Sequence, residues 1–395
     1  MKPKIITAHY KIVTPMFIGG ANQTPEDGVR PPSAKGALRF WWRALNWGEI
    51  RSNKGNDEDA LKELHQQEAF LFGSANDNDR KVGQGKFLLR TILSNQKIER
   101  PKLAGLGLQY LLGQGLCDSR QGGKILRDAI SKGDLKIQCV LHPSITQTQK
   151  EQLEQALLIF GLLGGLGSRA RKGFGSVSIS YINSEKYPAP RNKEELLSTL
   201  KQLKQNVLTV TKPPFTAFSN LSRIDLSLSG SNGLDLLGIA GEQQQLYRSW
   251  GHRNYKGQHV VGSERAEQNF KQSHDLMQDV GDRIRPNTMP NKAVFGLPQN
   301  YFFSSTKADI QFTLNESNRS RRASPLLIHV HQLPNEAILI QTLLPAVFLN
   351  PNEKLIFKRA KSPIAFDLNY DETMTDWKII ECYLDRSAFI MGETV

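Results

Sequence analysis

Residues 4–14, KIITAHYKIVT, alternate apolar with polar side chains and are rich in β-branched residues, the period of a half-buried strand. Thr14–Gly20 (TPMFIGG) closes that strand with a proline and a glycine pair, and residues 21–32 form a polar loop. Pro31-Pro32 stops what precedes it, and Ser33 stands where an N-cap belongs, ahead of a helix-forming run. At 3.6 residues per turn, Ala34, Ala37, Leu38, Trp41, Ala44 and Leu45 make one apolar stripe. Phe40 and Trp42 flank the stripe, and Lys35, Arg39 and Arg43 share the opposite face. Asp57–Phe72 reads as a second helix stopping at Gly73, Lys86–Leu93 and Leu135–His142 as strands, Gln147–Leu163 as an amphipathic helix and Ser176–Ile182 as a strand. Residues 74–85 form a polar loop, and residues 101–116 mix Leu and Gly without a decisive period.

That order predicts an α+β fold of the ferredoxin-like kind, an antiparallel sheet with helices on one face. Tyr187-Pro-Ala-Pro-Arg191 has the punctuation of a domain boundary, which divides the chain into 1–190 and 191–395. The second half repeats the vocabulary. It offers a helix over Lys193–Asn206, a strand-rich stretch over Leu208–Ser229 and a helix over Leu234–Trp250. Strands follow near Asp309–Leu314, Pro325–Gln332, Ala337–Leu349 and Lys354–Arg359, then a closing helix near Met374–Ile390. A second ferredoxin-like domain follows, with a basic helical insertion around 235–300; within it, 251–292 reads as helices and loops outside the core.

Charge changes the picture. Lys plus Arg number 51 against 38 Asp plus Glu, a net charge of +13 in 395 residues. Such an excess points to an anionic partner, most commonly nucleic acid. Cys117, Cys139 and Cys382 are far apart and in no metal-ligand spacing, so neither a disulfide framework nor a zinc site is expected, and a cytoplasmic setting fits. The N-terminus lacks the apolar region of a signal peptide, and no run is long enough to span a bilayer; no membrane partner and no cofactor are expected.

The basic residues gather in three places. Residues 28–51 hold Arg30, Lys35, Arg39, Arg43 and Arg51 with three tryptophans. The helix expected there would have a cationic front and a donor-rich N-terminus that favours anions. That face serves either a phosphate backbone or plain solvation. Residues 161–177 crowd Gly161, Gly164, Gly165, Gly167, Gly173 and Gly175 around Arg169, Arg171 and Lys172, with Phe174 as a stacking face. Gly165–Ala170 matches the dinucleotide fingerprint G-x-G-x-x-G/A, but a helix precedes it and a strand follows, the reverse of what a dinucleotide fold needs. A tight helix-to-strand loop would account for the glycines but not for three cations in four residues. The third stretch is Arg319–Pro325, with Arg321 and Arg322 beside hydroxyls, a phosphate contact or a solvated loop.

Taken together, TPMFIGG, RPPSAKGALRFWWRAL, GLGSRARKGFGSV and RRASPLLI resemble the repeat-associated mysterious proteins (RAMPs) of CRISPR systems. The RPPS-K-x-x-x-R-[FW]-W-W-R run and the R-x-S-P-L narrow the resemblance to the first RAMP subunit of the type III-B (Cmr) effector. It implies two domains of RNA-recognition-motif type in a crRNA-guided antiviral complex. It also implies partners, namely crRNA, target RNA and other Cmr subunits. The subunit would sit near the crRNA 3′ end and contact RNA without cutting it. By motif position, RNA contact is expected at Arg30, Lys35, Arg39, Trp42, Arg43, Ser168, Arg169, Arg171, Lys172, Phe174, Arg321 and Arg322. Of the two aromatics, Phe174 is the better stacking candidate, because Trp42 borders the buried stripe.

Some RAMP relatives are metal-independent ribonucleases that process precursor crRNA with a histidine, and this is the alternative activity. Among the eight histidines, His329 and His331 point the same way on one strand, and His252-Arg-Asn-Tyr-Lys256 groups a base, a cation and a phenol. None lies in the family motifs. Asp275, Asp279 and Asp282 would share a helix face, which reads as solvation rather than as a metal site.

Overall fold

A computed structural model describes residues 4–395 except 21, 75–82, 184–188, 206–211, 305, 316–320, 352, 361–364 and 390–391. The sequence readings that involve Tyr187, Pro188, Asn206, Leu208, Arg319, Ser320 and Ile390, and most of the 74–85 loop, therefore lie in those parts outside the described residues.

Strand β1 (Ile5–Ile12) buries Ile6, Ala8, Tyr10 and Ile12 on one face, as its alternation requires. Helix α1 spans Pro31–Lys54 and α2 spans Asp57–Phe72; after them come β2 (Phe87–Glu99), α3 (Leu106–Leu112), β3 (Ala129–Leu141), α4 (Gln147–Leu163) and β4 (Val177–Ile182). The strands pair antiparallel in the order β2-β3-β1-β4. That is the ferredoxin-like order, with α1 and α4 packed on the face that β1 buries. A capping box at Thr146 and Gln149 starts α4.

Helix α1 departs from expectation at both ends. Its N-cap is Arg30 rather than Ser33, with Pro31 and Pro32 as the first two helical residues, since a fixed φ pre-sets a first turn. It runs on to Lys54, where Gly55 closes it in the left-handed conformation at φ 77°. The unpatterned stretch 101–116 contains α3, whose Gly107 abuts a helix of the second domain.

After α5 (Lys193–Gln205), the second half repeats the first: β5 (Arg223–Gly230), α6 (Gly233–Arg248), and further on β8 (Leu326–Gln332), β9 (Ala337–Leu343), α8 (Lys378–Leu384) and β12 (Glu393–Thr394). Their order, β8-β9-β5-β12, is the same as in the first sheet. Two insertions interrupt this unit. They supply α7 (Lys271–Gly281) and a separate antiparallel sheet of β6 (Gln299–Phe303), β7 (Ala308–Leu314), β10 (Lys354–Arg359) and β11 (Ala365–Asn369), in that order. This sheet has its own core around Met277, Ile310, Phe312 and Phe357.

The expected helical insertion is therefore mixed. Helix α6 belongs to the second ferredoxin-like unit. His252–Arg253, His259–Val261 and Glu264–Arg265 pair as a three-stranded ribbon, and α7 packs into the third sheet. The closing helix is only Lys378–Leu384, flanked by 3-10 turns.

The two ferredoxin-like units meet along two seams. Helix α3 crosses α6 so closely that a Cβ on Gly107 would lie 2.0 Å from the Gly238 carbonyl oxygen. At the other seam, edge strand β8 has a row of N–H groups without a sheet partner. The N–H groups of Ile328, Val330 and Gln332 donate to the Arg171 carbonyl at 3.0 Å, to Ser176 Oγ at 3.1 Å and to Ser178 Oγ at 2.6 Å. The glycine-rich loop and β4 thus hold the second domain's edge. No helix among the described residues is long and apolar enough to cross a membrane.

Candidate nucleic-acid interface

The loop between α4 and β4 sits at the centre of the molecule's contacts. The Ser168 N–H donates to the Phe17 carbonyl at 2.8 Å, the Gly175 N–H to Pro15 at 3.0 Å, and Thr14 Oγ1 to the Gly173 carbonyl at 2.6 Å. These bonds clamp the loop onto the TPMFIGG segment. The backbone must pass very close there: at Gly175, φ is 67° and a Cβ would meet the Leu166 carbonyl oxygen at 2.0 Å. Packing thus explains the glycines.

It also corrects several expected roles. Phe174 is fully buried and meets Phe17 edge-on at 5.9 Å between ring centres, so it offers no stacking face to a base. Trp42 is likewise 0 % exposed, and its ring packs edge-on against Phe72. Lys172 points inward and donates to Gln244 Oε1 at 2.9 Å. Loss of hydration, then the charges of Arg248 and Arg169, push its pKa down to about 7. Arg171 lies over the Phe40 ring at 5.0 Å and donates to the Ser324 carbonyl at 2.9 Å; burial, then Arg322, lowers it to about 10. Arg322 donates to the Phe348 and Val347 carbonyls at 2.6 and 3.1 Å. These cations bind the protein itself: Arg171 and Arg322 its carbonyls and rings, Lys172 a side-chain amide.

The cationic face of α1 is also partly spoken for. Glu68 of α2 lies 3.4 Å from Arg39 Nε and 3.3 Å from Arg43 Nη1, and Arg39 also donates to the Gly73 carbonyl. Lys35 stands 5.5 Å from the Phe87 ring centre; burial and then Arg39 lower its pKa. Arg39 and Arg43 still keep 34 % and 40 % of their side chains in water. The expected donor-rich N-terminus is absent. Pro31 and Pro32 have no N–H, and the Ser33 N–H donates to the Arg30 carbonyl at 3.0 Å.

What the structure does open to solvent is a cleft of about 320 Å³ at that helix start. Four sequence-distant pieces line it: Phe17–Gly19, Gly28–Arg30 with Ser33, Arg127, and Leu166–Ser168. Its polar side chains are Arg30, Ser33, Arg127 and Ser168, and no carboxylate lines it. Arg127 donates to the Gln23 carbonyl at 3.0 Å, while its Nε is buried without a partner. Arg169 and Arg321 are exposed. Burial first, then the charge of Arg321, lowers the pKa of Arg169, so these two motifs do approach each other. Arg127 carries no sequence signal. It reaches the cleft because Met16 and Ile130 exchange backbone hydrogen bonds at 2.9 and 3.0 Å, a pairing no local pattern announces.

The histidines do not gather here. His329 and His331 are buried, with His329 Nδ1 2.9 Å from the Gly164 carbonyl oxygen. His252 lies on the exposed ribbon, and His274 is stacked on Trp250 at 3.9 Å. Among the described residues, no group of three or more His, Cys, Asp or Glu could hold a metal.

Residues 9–178 match the model of the RAMP superfamily. Over 181 residues, 43 % of this chain, it is 26 % identical to the CRISPR system Cmr subunit Cmr1-2 of Pyrococcus furiosus, covering 92 % of that protein. In fold it resembles the apo crystal structure of Cmr1 from Pyrococcus furiosus, at a TM-score of 0.54 and 17 % identity over 96 % of this chain and 97 % of that one. A chain of the type III-B Cmr-beta complex bound to cognate target RNA gives 0.52 at 15 % identity, over 97 % and 98 %. The likeness in fold therefore runs nearly end to end.

Proposed function

We propose that this chain is the first RAMP subunit of a type III-B (Cmr) CRISPR effector, binding crRNA, target RNA or both near the crRNA 3′ end without cutting them. The observation that carries this reading is the carboxylate-free cleft, where Arg30 and Arg127 flank the hydroxyls of Ser33 and Ser168. Two guanidiniums and two hydroxyls are the groups that hold a phosphodiester without reading its base. Arg169, next to Ser168, and Arg321 extend the positive field, and the half-exposed Lys35, Arg39 and Arg43 lie further along the helix that Arg30 caps. Side chains supply the anion affinity, because the helix backbone donors are used. The non-catalytic part of the reading comes from the motif resemblance; the cleft itself supplies guanidiniums and hydroxyls, groups that hold a phosphate.

The test is single-stranded RNA binding by the full chain and its Arg30→Ala/Arg127→Ala variant. We expect affinity to fall at least tenfold at moderate salt. The slope of log affinity against log salt should become shallower by about 1.4, roughly 0.7 for each lost phosphate contact. Unchanged affinity and slope in a folded variant would refute the assignment.

A further inference from the structure

A second cavity, of about 40 Å³, lies where α6 ends against the inserted segment, and Arg248, Ser249, Trp250, Phe270, His274, Lys292 and Tyr301 line it. No acid is among them. Lys292 lies with its ammonium 4.6 Å from the Tyr301 ring centre, and Arg248 with its guanidinium 4.5 Å from that of Phe295. Arg248 Nη1 donates to Tyr110 Oη at 3.1 Å, but its Nε is buried without a partner. Among the described residues, neither cation has a carboxylate against it. The adjoining Asp275 is taken by His274 Nδ1 at 3.0 Å and by the Lys271 ammonium. Lys172 extends the series, its ammonium donating to the neutral Gln244. Buried cations without a counter-charge are expensive, and burial with mutual repulsion lowers Lys292 to about 7. The cavity has room for about three waters at ~10–15 Å³ each, close to the size of one tetrahedral oxyanion.

We propose that this cavity binds a phosphate group, with Arg248 and Lys292 as its ligands and the Trp250–His274 stack as its wall. The site is separate from the Arg30–Arg127 cleft and does not depend on that cleft's role. The group would come from free inorganic phosphate or from a terminal phosphate of RNA.

Melting of the full chain in inorganic phosphate, against chloride at equal ionic strength, tests it. The wild type should melt several degrees higher in phosphate. Lys292→Met keeps the chain's bulk and removes the charge. It should raise the melting temperature in chloride, by relieving buried repulsion, and abolish the phosphate increment. Arg248→Gln should weaken phosphate binding at least tenfold by calorimetry. If wild type and Lys292→Met gain equally from phosphate, the effect is general salting and the proposal fails, as it does if neither gains. Competition then separates the sources. If a short RNA ending in a phosphate displaces inorganic phosphate and its hydroxyl-ended counterpart does not, the ligand is an RNA end; if neither displaces it, the ligand is free phosphate. Both results require the site.

Discussion

His329 and His331 lie i, i+2 on a strand, a spacing that also fits a proton-transfer pair, but their surroundings set a different role. Burial, then each other's proximity, holds His329 well below its usual value, while the Gly164 backbone offsets only part of this. Burial lowers His331 to about 4, with Gly161 opposing. Both are neutral in the folded protein at neutral pH, and the unfolded chain takes up their protons near pH 6.5. Stability is therefore full above pH 6.5 and falls below it, by up to ~1.4 kcal/mol per pH unit per histidine, the His331 share being spent by about pH 4. In denaturant titrations, His331→Leu should lose part of that acid slope; an unchanged slope would show that His331 is not the source. The burial of Phe174 makes a second prediction. Phe174→Ala should destabilise the chain by about 3–5 kcal/mol, as large-to-small changes in a packed core do. Arg169→Ala and Arg321→Ala should leave stability within about 0.5 kcal/mol and weaken RNA binding. A Phe174→Ala chain with wild-type stability would contradict the packing described for the loop.

At the scale of elements, α1 shows what a sequence can and cannot disclose. Its apolar stripe was legible: Ala34, Leu38, Trp41, Ala44 and Leu45 are buried and Ala37 partly so, as the period requires. The cationic face was legible only as a face, because its partner Glu68 comes from the next helix, and helical period does not reveal a neighbour's register. We expect Glu68→Gln to lower stability by about 1–3 kcal/mol, since Arg39 Nε would stay buried with its counter-charge gone. The freed charge on Arg39 and Arg43 should leave RNA affinity equal or higher. A loss of affinity in the folded variant would show that Glu68 positions those arginines for RNA. The glycine-rich loop taught the same lesson. Its place between a helix and a strand was readable and excluded a dinucleotide site. Which of its cations turn inward was not, because the Ser324 carbonyl and Gln244 that receive Arg171 and Lys172 lie 153 and 72 residues away. Arg127 was invisible for the same reason.

At the scale of the molecule, the glycine-rich loop is a wall of the cleft and, together with β4, the lock between domains. Ser176 Oγ accepts from Val330 N–H and donates to the Gly173 carbonyl at 2.9 Å, and Ser178 Oγ accepts from Gln332 N–H. These hydroxyls do for the β8 edge what a further strand would do, so the second domain cannot leave without exposing a row of donors. The cleft inherits that dependence, because Ser168 and Gly167 belong to the loop that the seam holds. The Ser176→Ala/Ser178→Ala variant changes no residue that lines the cleft, yet it leaves buried N–H groups unpaired, at about 1–3 kcal/mol each. By calorimetry, the single transition expected of the wild type should separate into two as the domains uncouple, and RNA affinity should fall several-fold. If the variant melts in one transition at the wild-type temperature, the hydroxyls do not couple the domains. If it splits but binds RNA with full affinity, the cleft is complete within the first domain alone.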